Sequence, residues 1–266
     1  MKIIKNTTIS FLILFLILFS SIQIISCKSK DDDPPQLEDF VKIAHAGGEI
    51  DDIKYTNSLE ALENSYNMGF RFFELDIRLT SDKKFVAVHD WNKWQNMTNF
   101  SGEVNDENPP TLEVFESYKL FEKYTALTME WINIWFGDHN DAILVTDKNQ
   151  ELNKFSDEFL FNDRLLMEAL NEETIDNSKD SSKLMVNYNG VLRSKSDQIS
   201  FLNSKKMKYV VTGIPENNTH KKSLKKLIKN GAFVFMYFLD KDGDISKQIA
   251  ENRSYYNGAY VDYYRI

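Results

Sequence analysis

Short apolar runs that each close on a polar residue recur along this sequence, and they constrain the fold more than any other feature. They occupy residues 41–44, 72–77, 85–88, 142–146, 184–186, 209–211, 233–238 and 259–261. Their length, aromatic content and β-branched content argue strands buried on both faces, as parallel strands are. Eight such runs is the number that a closed (β/α)8 barrel of the TIM type requires, and most of the intervals are long enough for a helix. Asn57-Ser58 can cap a helix over 59–68 that Gly69 ends, a second helical region runs from 112 past 121, and a third covers 128–136. Residues 221–229 read as a basic helix whose lysines form a solvated face. The interval between 77 and 85 is too short for a helix, and Thr80-Ser81-Asp82 there reads as a turn. A doubly wound open sheet is the structural alternative, and the count of eight favours the barrel.

The N-terminus is set apart by composition. Lys2 and Lys5 precede an unbroken apolar run over 11–19, and Ile24-Ile25-Ser26 leads to Cys27. This is the pattern of a bacterial lipoprotein signal, and the run falls short of the roughly 20 apolar residues of a membrane span. Residues 1–26 are therefore expected to be a signal peptide, 27–38 a lipid-anchored tether carrying Asp31-Asp32-Asp33-Pro34-Pro35, and 39–266 the barrel domain. Cys27 is the only cysteine, which excludes an intramolecular disulfide or a thiolate metal cage and leaves lipid attachment as its expected role. The expected product is an exported lipoprotein of the bacterial cell envelope, at the outer membrane or cell surface. It would be monomeric and would touch membrane through the anchor alone. The net charge of −8 disfavours nucleic acid as a partner. Removing 1–26, with its two lysines and no acid, makes the balance more negative still. An acidic chain can still bind one phosphate group if a metal ion supplies the local positive charge.

Chemistry is concentrated at strand ends. His45, in His45-Ala46-Gly47-Gly48, and His89, in Val88-His89-Asp90, each follow a predicted strand, where barrel enzymes place catalytic groups. Two such histidines can serve as general acid and general base. His139 and His220 lie in polar contexts and receive no role. Glu74 and Asp76 share one face of their strand by alternation. Two carboxylates on a buried face repel unless a cation lies between them, and their oxygens suit a hard divalent ion, Mg²⁺ or Ca²⁺. An ion pair with Arg78 or Arg71 is the competing structural reading. Asp147 could supply a third carboxylate and Lys148 a charge for phosphate. Only one of these adjacent residues points inward on a regular strand, so either the strand is irregular here or one role is wrong.

Taken in order, His45-Ala46-Gly47, Asn57-Ser58, Gly69, Glu74-x-Asp76, Thr80-x-Asp82 and His89-Asp90 resemble the glycerophosphodiester phosphodiesterases and the wider barrel superfamily of phospholipase C-like phosphodiesterases. The resemblance is dense over 43–91 and thins afterwards to Asp147-Lys148 and the closing 258–263. It implies a divalent ion held by Glu74, Asp76 and Asp147, with His45 and His89 as acid and base. Lys148 and Arg78 would meet the phosphate, and a substrate hydroxyl would often be the nucleophile, so that a cyclic phosphate forms first. The implied substrates are glycerophosphodiesters, phospholipid head groups or phosphodiester-linked glycans.

Departures from the family pattern stand at Ala46, where an arginine is usual, and at Thr56, where a glutamate is usual. Thr146-Asp147-Lys148 breaks the usual spacing: aligned on Lys148, the ligand position falls on Thr146 and Asp147 would turn away. Tyr237 answers an aromatic expected near the seventh strand. These departures also admit a binding lipoprotein on a degenerate barrel. A glycosidase using Glu74 and Asp76 is disfavoured, because residues two apart on one strand cannot flank a scissile bond.

Overall fold

The computed structural model describes residues 40–237 and 245–262; the signal, Cys27, the tether and Phe238 lie outside the described residues. Among them no helix is long and apolar enough to cross a membrane. The strands are β1 (Val41–Ala44), β2 (Phe72–Leu79), β3 (Phe85–Ala87), β4 (Lys119–Leu120), β5 (Tyr124–Thr125), β6 (Ile143–Asp147), β7 (Leu165–Ala169), β8 (Leu184–Asn187), β9 (Tyr209–Thr212), β10 (Phe233–Met236) and β11 (Gly258–Val261). Eight of them close into a parallel ring, β1-β2-β6-β7-β8-β9-β10-β11, with β1 paired to both β2 and β11.

The eight are not the eight runs read from the sequence. Residues 85–88 do not enter the ring: β3 folds back antiparallel on the far end of β2, with Ile77 opposite Ala87 and Leu79 opposite Phe85. Its place in the ring belongs to β7, whose Leu-Leu-Met-Glu-Ala composition is that of a good helix former. Burial on both sides overrides that preference, since all five of its residues are buried.

Alternation sorts the core into two layers. Val41, Ile43, Val145, Leu166, Met185, Tyr209, Val211, Phe235 and Tyr260 fill the barrel interior. Residues on the opposite face of the strands, such as Phe73, Leu75, Leu144, Leu165, Val186 and Val234, pack outward against the helices. Ser58 caps the helix Leu59–Asn67 by accepting from Ala61 N at 3.2 Å, and Gly69 follows its end at φ +98°. The excursion between β2 and β6 carries its own small core, in which Val86, Trp91, Trp94 and Phe115 cluster. The helix read from 112 past 121 stops at Glu116, and β4 and β5 form a hairpin beyond it.

Candidate active site

One step of alternation beyond each interior apolar residue lies the rim at the C-terminal ends of the strands. His45, Asp147, Glu168, Asn187, Tyr237 and Asp262 stand there, following Ile43, Val145, Leu166, Met185, Phe235 and Tyr260. β2 is longer and contributes both Glu74 and Asp76, each 1% exposed. His89 arrives by a different route: β3 returns toward the barrel, Val88 N donates to Asp76 O at 2.7 Å, and the next residue reaches the rim. A cavity of about 190 Å³ is lined by His45, Tyr55, Glu74, His89, Asp147, Lys148, Glu168, Tyr237 and Tyr260, with Leu170 at its edge.

Each of three carboxylates, two buried and that of Asp147 half-buried, has one oxygen held and one oxygen left without a hydrogen bond. Glu74 Oε2 accepts from Ala46 N at 2.8 Å, Asp76 Oδ2 from Asn57 Nδ2 at 2.9 Å, and Asp147 Oδ2 from Lys148 Nζ at 2.9 Å. Glu74 Oε1, Asp76 Oδ1 and Asp147 Oδ1 have no hydrogen-bond partner. Lys148 Nζ stands 3.3 Å from Asp76 Oδ1, which gives attraction without a formed hydrogen bond. One oxygen from each of the three residues falls within a 4.8 Å cluster. Three anionic oxygens converging with their hydrogen bonds unmade fit a hard divalent cation.

The electrostatics agree with that arrangement. Burial, with Asp76 and Asp147 nearby, raises the Glu74 pKa well above the usual carboxylate range. Burial and Asp76 push Asp147 up to about 7. Burial alone would lower Lys148, but Asp147 and Asp76 raise it, so it stays an ammonium.

Asp147 faces inward, following Val145 in the interior, while Thr146 is buried on the outward side. The alignment that placed the ligand at Thr146 and turned Asp147 away is thus corrected. Lys148 leaves the strand at φ +60°, and Asn149 N donates to Asp147 O at 2.6 Å. This left-handed residue breaks the alternation and lets two consecutive side chains serve one cavity. Arg78 is placed differently. Its Nε donates to His89 O at 2.9 Å and its Nη1 to Asp106 Oδ1 at 2.9 Å, so it braces the His89 segment and lines a neighbouring groove.

Both histidines carry a carboxylate on Nδ1. His45 Nδ1 lies 3.0 Å from Asp262 Oδ1, and Lys54 Nζ holds the other oxygen of Asp262 at 3.0 Å. His89 Nδ1 lies 2.8 Å from Asp90 Oδ2, while Asp90 Oδ1 caps the helix Trp91–Thr98 by accepting from Lys93 N at 2.7 Å. A carboxylate on Nδ1 keeps the proton there and leaves Nε2 for exchange. Burial lowers the His89 pKa against the pull of Asp76 and Asp90, and Lys93, with Nζ 3.2 Å from Nδ1, adds to the lowering. Burial would raise Asp262, but His45 and Lys54 bring it below its ordinary value. The Tyr55 ring stands edge-on to both imidazoles, with centroids 4.7 Å from His45 and 5.1 Å from His89.

The positions that depart from the family pattern have local explanations. Ala46 is left-handed at φ +50°, and its backbone N–H holds Glu74. The Thr56 and Ser58 hydroxyls share a 2.9 Å hydrogen bond. Asn57, read as a cap, instead brackets Asp76. Asp262, Tyr55, Lys93, Glu168 and Tyr260 were given no role by the sequence. Alternation from Tyr260 would have found Asp262, and recognising β7 would have found Glu168. His139 stacks on Trp135 at 4.0 Å and His220 on Tyr188 at 4.3 Å, both packing roles outside the cavity.

A closed parallel barrel with an acidic trio and two carboxylate-backed histidines at its C-terminal rim defines a class of barrel hydrolase. Residues 45–251 match the Glycerophosphoryl diester phosphodiesterase family, and the chain belongs to that family of phosphoric diester hydrolases. Among solved structures it is similar to a glycerophosphoryl diester phosphodiesterase from Parabacteroides distasonis. That pair has 16% identity and a TM-score of 0.65, with 86% of this chain and 84% of that one covered. It is also similar to a phosphodiesterase from Oleispira antarctica in complex with the product sn-glycerol-3-phosphate, at 15% identity, a TM-score of 0.64, and 85% and 94% coverage. A glycerophosphodiester phosphodiesterase from Thermotoga maritima gives 16% identity, a TM-score of 0.60, and 85% and 96% coverage. No curated protein matches the sequence.

Proposed function

We propose that this chain is a divalent-metal-dependent phosphodiesterase that cleaves a glycerophosphodiester or a related phosphodiester by acid–base chemistry between His45 and His89. The observation that carries the reading is the convergence at one barrel mouth of three half-paired carboxylates and two histidines backed on Nδ1. Glu74, Asp76 and Asp147 would hold Mg²⁺ or Ca²⁺. When bound, that ion supplies positive charge against the phosphate and lowers the proton affinity of the attacking oxygen. Lys148 adds a fixed cation at the same wall. One histidine takes the proton of the nucleophile and the other gives one to the leaving alkoxide. Burial lowers the His89 pKa, which favours the neutral form a base needs. A hydroxyl of the substrate next to the phosphate would attack first, giving a cyclic phosphate that water then opens.

A hydrolysis screen of phosphodiesters, including glycerophosphodiesters, head-group diesters and glycan-linked diesters, tests this with Mg²⁺, Ca²⁺ and chelator. Expected is divalent-dependent turnover that drops at least about 100-fold in His45→Ala and in His89→Ala. Turnover that survives chelator and both substitutions would sink the proposal. Tight binding with no turnover of any diester would favour a binding lipoprotein on the same barrel.

The location proposed is the bacterial envelope, through lipid on Cys27 after removal of 1–26, on the strength of the apolar run and lone cysteine. Cys27→Ser should move the protein from the membrane to the soluble fraction on cell fractionation. Persistence with the membrane after that substitution counts against the anchor.

A further inference from the structure

We propose that the helix Asn218–Lys229 presents a cationic face that lies on an anionic lipid bilayer and sets the barrel on its side against it. The proposal goes beyond the catalytic reading and rests on the envelope location proposed above. Lys222, Lys225, Lys226 and Lys229 stand at the i, i+3, i+4 and i+7 spacing that shares one helix face, and all four are exposed. The other face, with His220, Leu224 and Leu227, is buried. The helix contains no acidic residue.

These charges are handled differently from lysines elsewhere in the chain. At a net charge of −8 the protein has acids to spare, and Lys123 pairs with Asp51, Lys179 with Asp157, Lys195 with Glu172 and Lys205 with Asp176. Among the described residues none of the four helix lysines has an ion-pair partner. Asp197 is close enough to feel Lys226, but its two oxygens are taken by Ser200 N at 3.3 Å and Ser200 Oγ at 2.7 Å. Lys225 Nζ stands 4.8 Å from the Tyr255 ring centre, a contact that orients the ammonium without neutralising it. Four like charges within two turns repel one another, and an anionic surface relieves that repulsion.

A bilayer fits this face because of where the chain enters the barrel. Val41 N donates to Asn257 O at 2.8 Å, and Asn257 Oδ1 accepts from Val234 N at 2.8 Å. The chain therefore enters beside the start of β10, the strand that follows this helix, at the end of the barrel where Lys229 closes the lysine face. A lipid on Cys27 would fix where the barrel is but not how it faces, and a charged flank decides the second. The helix joins the C-terminal end of β9 to the N-terminal start of β10, so it runs along the barrel flank. Laid flat, it puts the barrel axis along the membrane plane. The acidic mouth then opens along the surface and not into it, which the like charge of the bilayer also favours.

Lysine acetylation footprinting of the full chain tests this on two kinds of vesicle, phosphatidylcholine alone and equal parts phosphatidylcholine and phosphatidylglycerol. At low salt, Lys222, Lys225, Lys226 and Lys229 should react at least about fivefold more slowly on the mixed vesicles than on the neutral ones. At about 0.5 M salt that protection should vanish, because screening then reaches within a few Å. Exposed Lys83, at the turn after β2 on the far side of the ring, should react equally on both. Lys225→Gln combined with Lys226→Gln should restore most of the reactivity of Lys222 and Lys229. Equal reactivity of the four lysines on both vesicles overturns the proposal, whether or not the chain is held there by its N-terminus. Protection by soluble polyglutamate and not by mixed vesicles overturns it too, in favour of an acidic protein. Retention on neutral vesicles reports the N-terminal anchor by itself, so failure of the anchor and failure of the helix face read out separately.

Discussion

Asn57 shows how much a single side chain can decide at this rim. It sits at φ +48°, donates from Nδ2 to Asp76 Oδ2 at 2.9 Å, and accepts from Asp76 N at Oδ1 at 3.0 Å. One end of the amide therefore holds the Asp76 carboxylate and the other its backbone N–H, leaving Oδ1 of Asp76 for a cation. Asn57→Ala loses both bonds and favours the left-handed backbone less. We expect a loss of about 2 kcal/mol or more in stability and of about 10- to 100-fold in Mg²⁺ or Ca²⁺ affinity. Isothermal titration with each ion checks it, and unchanged affinity would remove Asp76 from the metal site. The carboxylate pair was legible in the sequence because period-two alternation forces Glu74 and Asp76 onto one face. The role of Asn57 was not, because a residue before a helix reads first as a cap, and its partner lies 19 positions away.

Among the elements, β7 and β3 exchanged places relative to the sequence reading, and the physics of the exchange is local. β3 is apolar enough for a barrel strand, yet the five-residue connection from β2 can only make a hairpin. β7 has helical composition, yet it fills the gap between β6 and β8. The seam between β1 and β11 is the place where a small change at one element should be felt most. Gly258 faces Val41 across it, and a Cβ there would come 2.5 Å from Val41 O and 3.0 Å from Phe235 Cδ1. Gly258→Ala must push the paired strands apart or displace a buried ring, and should cost about 1–3 kcal/mol. A urea-unfolding midpoint equal to that of the unsubstituted chain would contradict this packing.

At the scale of the whole molecule, the barrel concentrates acid at one mouth, and this ties stability to pH and metal. Glu74 and Asp147 have folded pKa values above their unfolded ones, Asp147 at about 7. Between roughly pH 4, where free carboxyls titrate, and pH 7, the metal-free native state holds protons that the unfolded chain has lost. Its stability should therefore fall as pH rises through that window, by at most about 1.4 kcal/mol per pH unit for each such group. Carboxylates held low by their neighbours, such as Asp90 and Asp262, act with the opposite sign at lower pH. Saturating Mg²⁺ or Ca²⁺ should reverse the slope, since the ion requires the ionised ligands. Thermal unfolding at pH 5 and 7.5 with chelator or ion compares the two, and identical slopes would speak against a metal at this mouth. The sequence by itself pointed to the barrel class through its recurring apolar runs, to the two histidines through their place after such runs, and to the acidic pair through alternation along one strand. Only the tertiary structure decided that Asp147 joins them, that Asp262 and Asp90 back the histidines, and that Glu168 shares the cavity. Alternation could place each of these side chains on its own strand, but bringing them to one mouth depends on pairings such as β2 with β6 and β1 with β11, between strands far apart in the chain, which no local pattern encodes.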